Sequence, residues 1–65
     1  MLRLDIQSVL ILNNQNKIVF NTENNIYLLN IKNNLIQDKI NTQDNILSTN
    51  LIQEENKEII FICFN

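Results

Sequence analysis

Three acidic residues are the side chains whose types and spacing most suggest catalysis. Glu54, Glu55 and Glu58 could act as paired carboxylates in glycoside hydrolysis, or as oxygen ligands of a hard cation. Either chemistry requires the carboxylates to converge in a cleft. These residues instead lie in the most polar stretch of the chain, beside Asn56 and Lys57. We therefore interpret them as part of a solvated loop or a helix end.

Two further side chains could carry chemistry, the thiol of Cys63 and the ring of Tyr27. A reactive thiol needs an accessible, electropositive setting that lowers its pKa. Cys63 is flanked by Ile62 and Phe64, so we predict a buried, inert thiol. Tyr27 could stack on a base, but a single aromatic ring without a basic groove is more typical of a core or rim position.

Missing residue types exclude several classes of enzyme. The chain has no His and one Cys, so it cannot assemble a Cys/His metal cluster, a Ser-His-Asp triad or a Cys-His dyad. It has no Gly, which phosphate-binding loops and dinucleotide-binding turns require for close backbone approach. The sequence predicts no catalytic residue, no cofactor, no metal site and no enzyme activity.

The composition is strongly biased. Of 65 residues, 14 are Asn, 12 are Ile and 9 are Leu, which is more than half of the chain. AT-rich coding sequence explains this bias better than chemistry does, so a single Asn is a weak indicator of function. Apolar residues make up 45% of the chain and occur in runs, which favours a folded domain over a disordered tract.

Charge and hydropathy limit the partners and the compartment. The net charge is −2, and the five basic residues are spread along the chain, which argues against binding to nucleic acid. The longest apolar runs, 9–12 and 59–64, are too short to span a membrane. We read no targeting signal, and a single Cys cannot form an intramolecular disulfide. We therefore expect an intracellular protein, in the cytoplasm or an organelle interior.

Asn and Asp mark the turns at regular intervals. Without Gly and Pro, these are the residues that most readily accept positive φ and bond to their own backbone in a turn. The marks recur every 9 to 12 residues, at Asn13-Asn14, Asn24-Asn25, Asn33-Asn34, Asp44-Asn45 and Asn56. This spacing predicts an all-β fold: a single domain, 1–65, with a small antiparallel meander, sandwich or barrel of about five to six short strands.

The segments between the turns predict the individual strands. Alternation from Leu2 to Gln7, followed by an apolar run to Leu12, predicts a long first strand that enters the core. Segment 17–22 should form a hairpin with it. Further candidates follow at 26–32, 35–40 and 46–52. The run 59–64 has strong β preference, and we predict that it is a central strand covered on both faces.

A helical alternative exists for residues 26 to 40. Leu28, Ile31, Leu35 and Ile40 recur at roughly helical spacing, which would give an α+β fold. Asn30, Asn33 and Asn34 lie within this stretch, and as poor helix formers they count against the helix.

Two short segments resemble known families. Residues 17–32, Lys-Ile-Val-Phe-Asn-Thr-Glu-Asn-Asn-Ile-Tyr-Leu-Leu-Asn-Ile-Lys, resemble the middle strands of a WD40-type β-propeller blade, without its Gly-His and Trp-Asp signatures. Residues 54–62 are similar to the last strand of ubiquitin-like sulfur carriers, which depend on a terminal Gly-Gly where this sequence reads Cys63-Phe64-Asn65. We assign the chain to neither family.

The pattern as a whole indicates a protein that works by contact. Several segments are apolar on both faces, and so short a chain cannot cover them all. We expect a non-catalytic subunit or accessory module with a protein partner, or a homo-oligomer. Two alternatives remain: a β-grasp-type carrier or regulatory domain that docks on an enzyme, and a degenerate fragment with no independent function.

Overall fold

The computed structural model describes residues 4–65, which form six antiparallel strands in two sheets. This confirms the all-β prediction. The strands are β1 (Ser8–Leu12), β2 (Lys17–Asn21), β3 (Asn25–Asn30), β4 (Leu35–Asn41), β5 (Ile46–Glu54) and β6 (Lys57–Phe64). The stretch considered as a helix, 26 to 40, contains β3 and β4 instead.

The first four strands form one sheet by simple meandering, in the order β1-β2-β3-β4. The predicted hairpin between the first two strands is confirmed, with Leu12 opposite Lys17 and Ser8 opposite Asn21. The β3–β4 pair contains a bulge, because its register shifts between Leu28 and Leu29. We call these four strands the meander sheet.

Turns fall where the Asn and Asp clusters predicted them. A short 3-10 turn over Asn13–Gln15 ends at Asn16, which has a φ of 53°. Asn34 has a φ of 57° in the β3–β4 turn, and its amide donates to the carbonyl of Asn30. Asn accepts this left-handed conformation more easily than most residues, since its short polar side chain can bond locally. These two asparagines therefore replace the missing glycines.

Strands β5 and β6 pair only with each other, and form a hairpin that packs against the meander sheet. The prediction that 59–64 is central and covered on both faces is therefore wrong. Phe61 and Phe64 are exposed, whereas Ile60 and Ile62 are half-buried. The apolar run is two-sided, but the chain supplies a covering layer for one side only.

The predicted long first strand is also wrong in its extent. Residues 4–7 are not in a strand, and β1 begins at Ser8; the predicted start at Leu2 lies outside the described residues. The run does enter the core at Leu12, which is buried. Its other face is open, because Val9 and Ile11 are exposed.

The hydrophobic core is small and the molecule is thin. Its buried apolar residues are Leu12, Val19, Phe20, Tyr27 and Ile46. The accessible surface is 4990 Å², whereas a compact monomer of 7.7 kDa would expose about 4,300 Å². The radius of gyration is 12.0 Å, against about 11 Å for a compact chain of this length, and the shortest dimension is 15 Å. The fold therefore leaves much of its apolar surface uncovered.

Candidate protein-contact surface

The three candidate carboxylates lie at the β5–β6 turn, as the solvated-loop interpretation predicted. Glu54 and Glu55 are exposed, and Lys57 Nζ lies 3.5 Å from Glu54 Oε2 in a surface ion pair. Glu58 accepts hydrogen bonds from the side-chain amides of Gln15, at 3.4 Å, and Gln53, at 3.0 Å. Glu54 and Glu58 therefore bond to a neighbouring lysine and to side-chain amides at the surface. No group of acidic and sulfur or imidazole ligands suited to a metal occurs within residues 4–65.

The two other candidates lie elsewhere. Cys63 is exposed, so the prediction of a buried thiol is wrong. It lies on the side of β6 that turns away from the meander sheet. Tyr27 is buried and stacks on Phe20, with ring centroids 4.9 Å apart and an interplanar angle of 12°. The structure thus places Tyr27 in the core, as predicted, and far from the carboxylates, of which Glu55 and Glu58 line one open cavity at the β5–β6 turn.

The most distinctive surface is the side of the meander sheet that faces away from the β5–β6 hairpin. Residues directly opposite one another on paired strands point to the same side of a sheet. The register therefore places one apolar residue from each strand in a single row: Ile11, Ile18, Leu29 and Ile36. The two end members, Ile11 and Ile36, are 52% and 51% exposed. We call this surface the outer face.

A second row runs beside the first on the outer face. It consists of Val9, Phe20, Tyr27 and Lys39, again one residue from each strand. The Lys39 ammonium lies 5.6 Å from the centre of the Tyr27 ring, within range of a cation–π contact. Val9, at the opposite end, is half exposed. Phe20 and Tyr27, in the middle of this row, are buried, so the second row adds only Val9 to the exposed apolar surface of the outer face and places one cation at the β4 edge.

The other side of the meander sheet, the inner face, packs against the hairpin and is incompletely filled. A cavity of about 230 Å³ lies between the two layers. Residues from both sheets line it: Val19, Ile26, Tyr27, Leu28, Asp38, Ile40, Ile60 and Ile62. A two-stranded hairpin is too narrow to cover four strands, so the β4 side of this layer stays open, with Ile40 54% exposed.

A polar chain ties the two sheets together at the β1 end. The Ser8 hydroxyl donates to the side-chain oxygen of Asn21, which is 2% exposed. Ser8 has a single hydroxyl proton, so the Thr49 hydroxyl, 2.8 Å away, donates to Ser8. The Asn21 amide in turn donates to the Thr22 carbonyl at 2.9 Å. No buried side-chain nitrogen or oxygen lacks a partner among the described residues.

The comparisons with known proteins assign no family to this arrangement. Neither protein-family models, nor curated proteins, nor solved structures give a match to the chain. The segment that resembles middle strands of a propeller blade, 17–32, contains β2 and β3, which are the middle strands of the meander sheet. Within residues 4–65 we find no helical segment with the length and apolarity needed to span a bilayer.

Sequence reasoning missed the outer face. The sequence predicts that some apolar surface stays uncovered, but a run such as 9–12 carries no signal for which of its sides that is. The register was the missing information. Once Ile11 pairs with Ile18 and Leu29 with Ile36, the row across four strands follows directly.

Proposed function

We propose that this chain is a non-catalytic β-rich module that acts through protein–protein contacts. The observation that carries the proposal is the apolar row on the outer face. Single exposed apolar residues are normal on protein surfaces, whereas a contiguous apolar patch marks an interaction site. Here the row spans all four strands and includes the exposed Ile11 and Ile36.

The thinness of the molecule supports the same proposal. Its surface exceeds the value for a compact monomer, and 11 large apolar side chains among residues 4–65 are exposed. A partner that covers the outer face would remove three of them, Val9, Ile11 and Ile36, from water, at about 25 cal/mol for each Å² of apolar surface. A partner would thus supply part of the core that the chain lacks.

The carboxylates give the enzyme alternative no support, because Glu54 and Glu55 are exposed at a turn and Glu58 is hydrogen-bonded to the side-chain amides of Gln15 and Gln53. The β-grasp alternative receives no support either. A β-grasp sheet packs on a helix, whereas no α-helix occurs in residues 4–65 and the sheet order is a plain meander. The contact module is therefore the function that the geometry favours.

Crosslinking in extract of the source cells tests this proposal. Lys39 lies on the outer face, whereas Lys57 lies at the β5–β6 turn, so a partner on the outer face should react through Lys39. The variant Ile11→Asp should abolish that crosslink. The control Leu47→Asp makes the same change at a residue that is 62% exposed and lies in β5, and it should keep the crosslink.

Two results would contradict the proposal. One is a set of crosslinked proteins that is unchanged by Ile11→Asp. The other is an enzymatic turnover of the purified chain that is lost when Glu54, Glu55 or Glu58 is replaced by Gln.

A further inference from the structure

The β5–β6 hairpin leaves one side of the inner face open. Burial falls across that face, because Val19 in β2 is buried, Leu28 in β3 is half-buried and Ile40 in β4 is 54% exposed. Strand β5 packs on β1, and β6 supplies Ile60 and Ile62 to the inter-sheet cavity, the space of about 230 Å³ between the layers. Strand β6 therefore lies above the middle of the meander sheet, with its free edge toward β4. We call the inner-face residues beside that edge the ledge: Ile26, Leu28, Asp38 and Ile40.

The edge of β6 beside the ledge carries unpaired backbone groups. Strand β6 pairs with β5 alone, and every second residue of an antiparallel pair turns its N–H and C=O away from the partner strand. Strand β6 is regular over eight residues, whereas β4 and β5 each contain a bulge and β1 has five residues. Among residues 4–65, β6 is thus the free edge that combines a long unbroken row of hydrogen-bonding groups with an open apolar floor.

The ledge has room for one further strand. Neighbouring strands lie about 4.8 Å apart and stacked sheets about 10 Å apart. The meander sheet is four strands wide and the hairpin two, so a strand bonded to β6 would lie over β3 and β4 at the ordinary distance between sheets. It would cover Ile40 and close the open side of the inter-sheet cavity.

The ledge also excludes a second copy of this chain as the source of that strand. Two β6 edges in an antiparallel pair would be related by a twofold axis perpendicular to the joined sheet. Both meander sheets would then lie on the same side of that sheet. Because the β4 side of each extends past its own β6, the two would overlap. An isolated extended segment meets no such obstacle.

Asp38 gives the incoming segment a preferred charge. Its side chain lies on the ledge, because Asp38 pairs with Leu28 of the inner face. Its carboxylate accepts the backbone amide of Lys39 at 2.8 Å, while the ion pair found within residues 4–65 joins Lys57 to Glu54. A Lys or Arg of the segment could lay its alkyl stem over Leu28 and place its charge beside Asp38.

We propose that the ledge binds an extended segment of a partner protein, which adds to β6 as a third strand and turns apolar side chains and one basic side chain toward the ledge. Strand addition is a general mode of peptide recognition, in which backbone bonds provide affinity and alternate side chains provide specificity. The ledge is separate from the outer face. The inference therefore adds a second contact surface to the proposed function and does not depend on the first.

A short alternating peptide, acetyl-Thr-Val-Thr-Lys-Thr-Val-Thr-amide with a fluorescent label, tests the proposal. Its Val and Lys side chains share one side, as the ledge requires. We expect fluorescence anisotropy to show binding, and the same peptide with Glu in place of Lys should bind about fivefold more weakly. The variant Asp38→Lys should reverse this preference, because it reverses the charge on the ledge.

Methylated peptides test the strand pairing itself, because methylation of alternate backbone nitrogens removes the donors from one edge of the peptide. Methylation of the edge that faces β6 should abolish binding, whereas methylation of the opposite edge should not. Ile40→Asp should also abolish binding. Ile36→Asp makes the same change in the same strand, on the outer face at 51% exposure, and should keep it. Circular dichroism checks the fold of each variant, and Asp38→Lys tests the ledge even if Ile40→Asp unfolds.

Several results would overturn the inference. One is the absence of binding at about 1 mM peptide, a concentration that detects even weak complexes. Another is equal binding of both methylated peptides, which would indicate apolar contact without strand pairing. Loss of binding in Ile36→Asp but not in Ile40→Asp would place the peptide on the outer face. Protection of β6 amides from exchange that grows with the concentration of the free chain would show that a second copy occupies the edge. None of these results would change the crosslink expected through Lys39, so the proposed function would stand.

Discussion

The Thr49 hydroxyl lies 2.8 Å from the Ser8 hydroxyl, and this contact joins β5 of the hairpin to β1 of the meander sheet. Thr49→Val keeps the shape of the side chain but removes the donor. We expect a loss of about 1 kcal/mol in the free energy of unfolding, the usual contribution of one hydrogen bond. Urea denaturation of the variant and the parent chain measures this loss in the free energy of unfolding. Ser48→Ala, an exposed neighbour, is the control, and an equal loss in both variants would show that the contact does not stabilise the fold.

Adjacent residues of β6 should respond in opposite ways to a charge. Ile60 lines the inter-sheet cavity, so Ile60→Asp places an unpaired carboxylate between the layers and should unfold the domain, whose total stability is on the order of 3 to 10 kcal/mol. Phe61 lies on the side of β6 that turns away from the meander sheet and is 53% exposed, so Phe61→Asp should leave the melting temperature nearly unchanged. The melting temperatures of the two variants, measured at low protein concentration, provide the comparison. Similar destabilisation by both would mean that β6 is covered on both sides after all.

Because Asn16 has a left-handed conformation, we expect a glycine at this position to be more stabilising than an alanine, the reverse of the usual order. Asn16→Ala should cost about 1 kcal/mol, because a Cβ without a local hydrogen bond disfavours positive φ, whereas Asn16→Gly should be close to neutral. Chemical denaturation of both variants provides the measurement. Asn14→Ala, within the preceding 3-10 turn, is the reference. A glycine variant less stable than the alanine variant would contradict the turn geometry.

The inter-sheet cavity should accept additional volume. Val19→Ile adds one methylene at a buried residue that lines the cavity, and we expect a gain of up to about 0.8 kcal/mol. Val9→Ile makes the same change at a half-exposed position and should have little effect in the monomer. The free energies of unfolding of both variants decide the question. A destabilised Val19→Ile variant would show that the layers are already closely packed there.

The turns and the number of strands were predictable because local chemistry determines them. Asn33-Asn34 and Asn24-Asn25 are strong turn formers in a chain without Gly or Pro, and the segments between such pairs are rich in β-forming residues. The hairpin of β1 and β2 followed from their closeness in sequence. These features depend on neighbouring residues alone.

The burial of each strand was not predictable, because it depends on which layer lies opposite. Ile60 and Cys63 belong to one apolar run, yet the first lines the inter-sheet cavity and the second is exposed. Hydrophobicity identifies the run as a strand but does not count the layers around it. The contact surface is missed for the same reason, since Ile18 and Val19 look equally suited to a core and lie on opposite sides of the sheet.

The bulge between β3 and β4 limits how the molecule can aggregate. Gln37 is the extra residue, since Asp38 pairs with Leu28 and Ile36 pairs with Leu29. All of β4 is exposed, so its free edge could template further strands, as exposed edges do in fibrils. An incoming strand would lose its hydrogen-bond ladder at Gln37 and would also meet the charges of Asp38 and Lys39. Edge-to-edge addition of strands at β4 is thereby disfavoured.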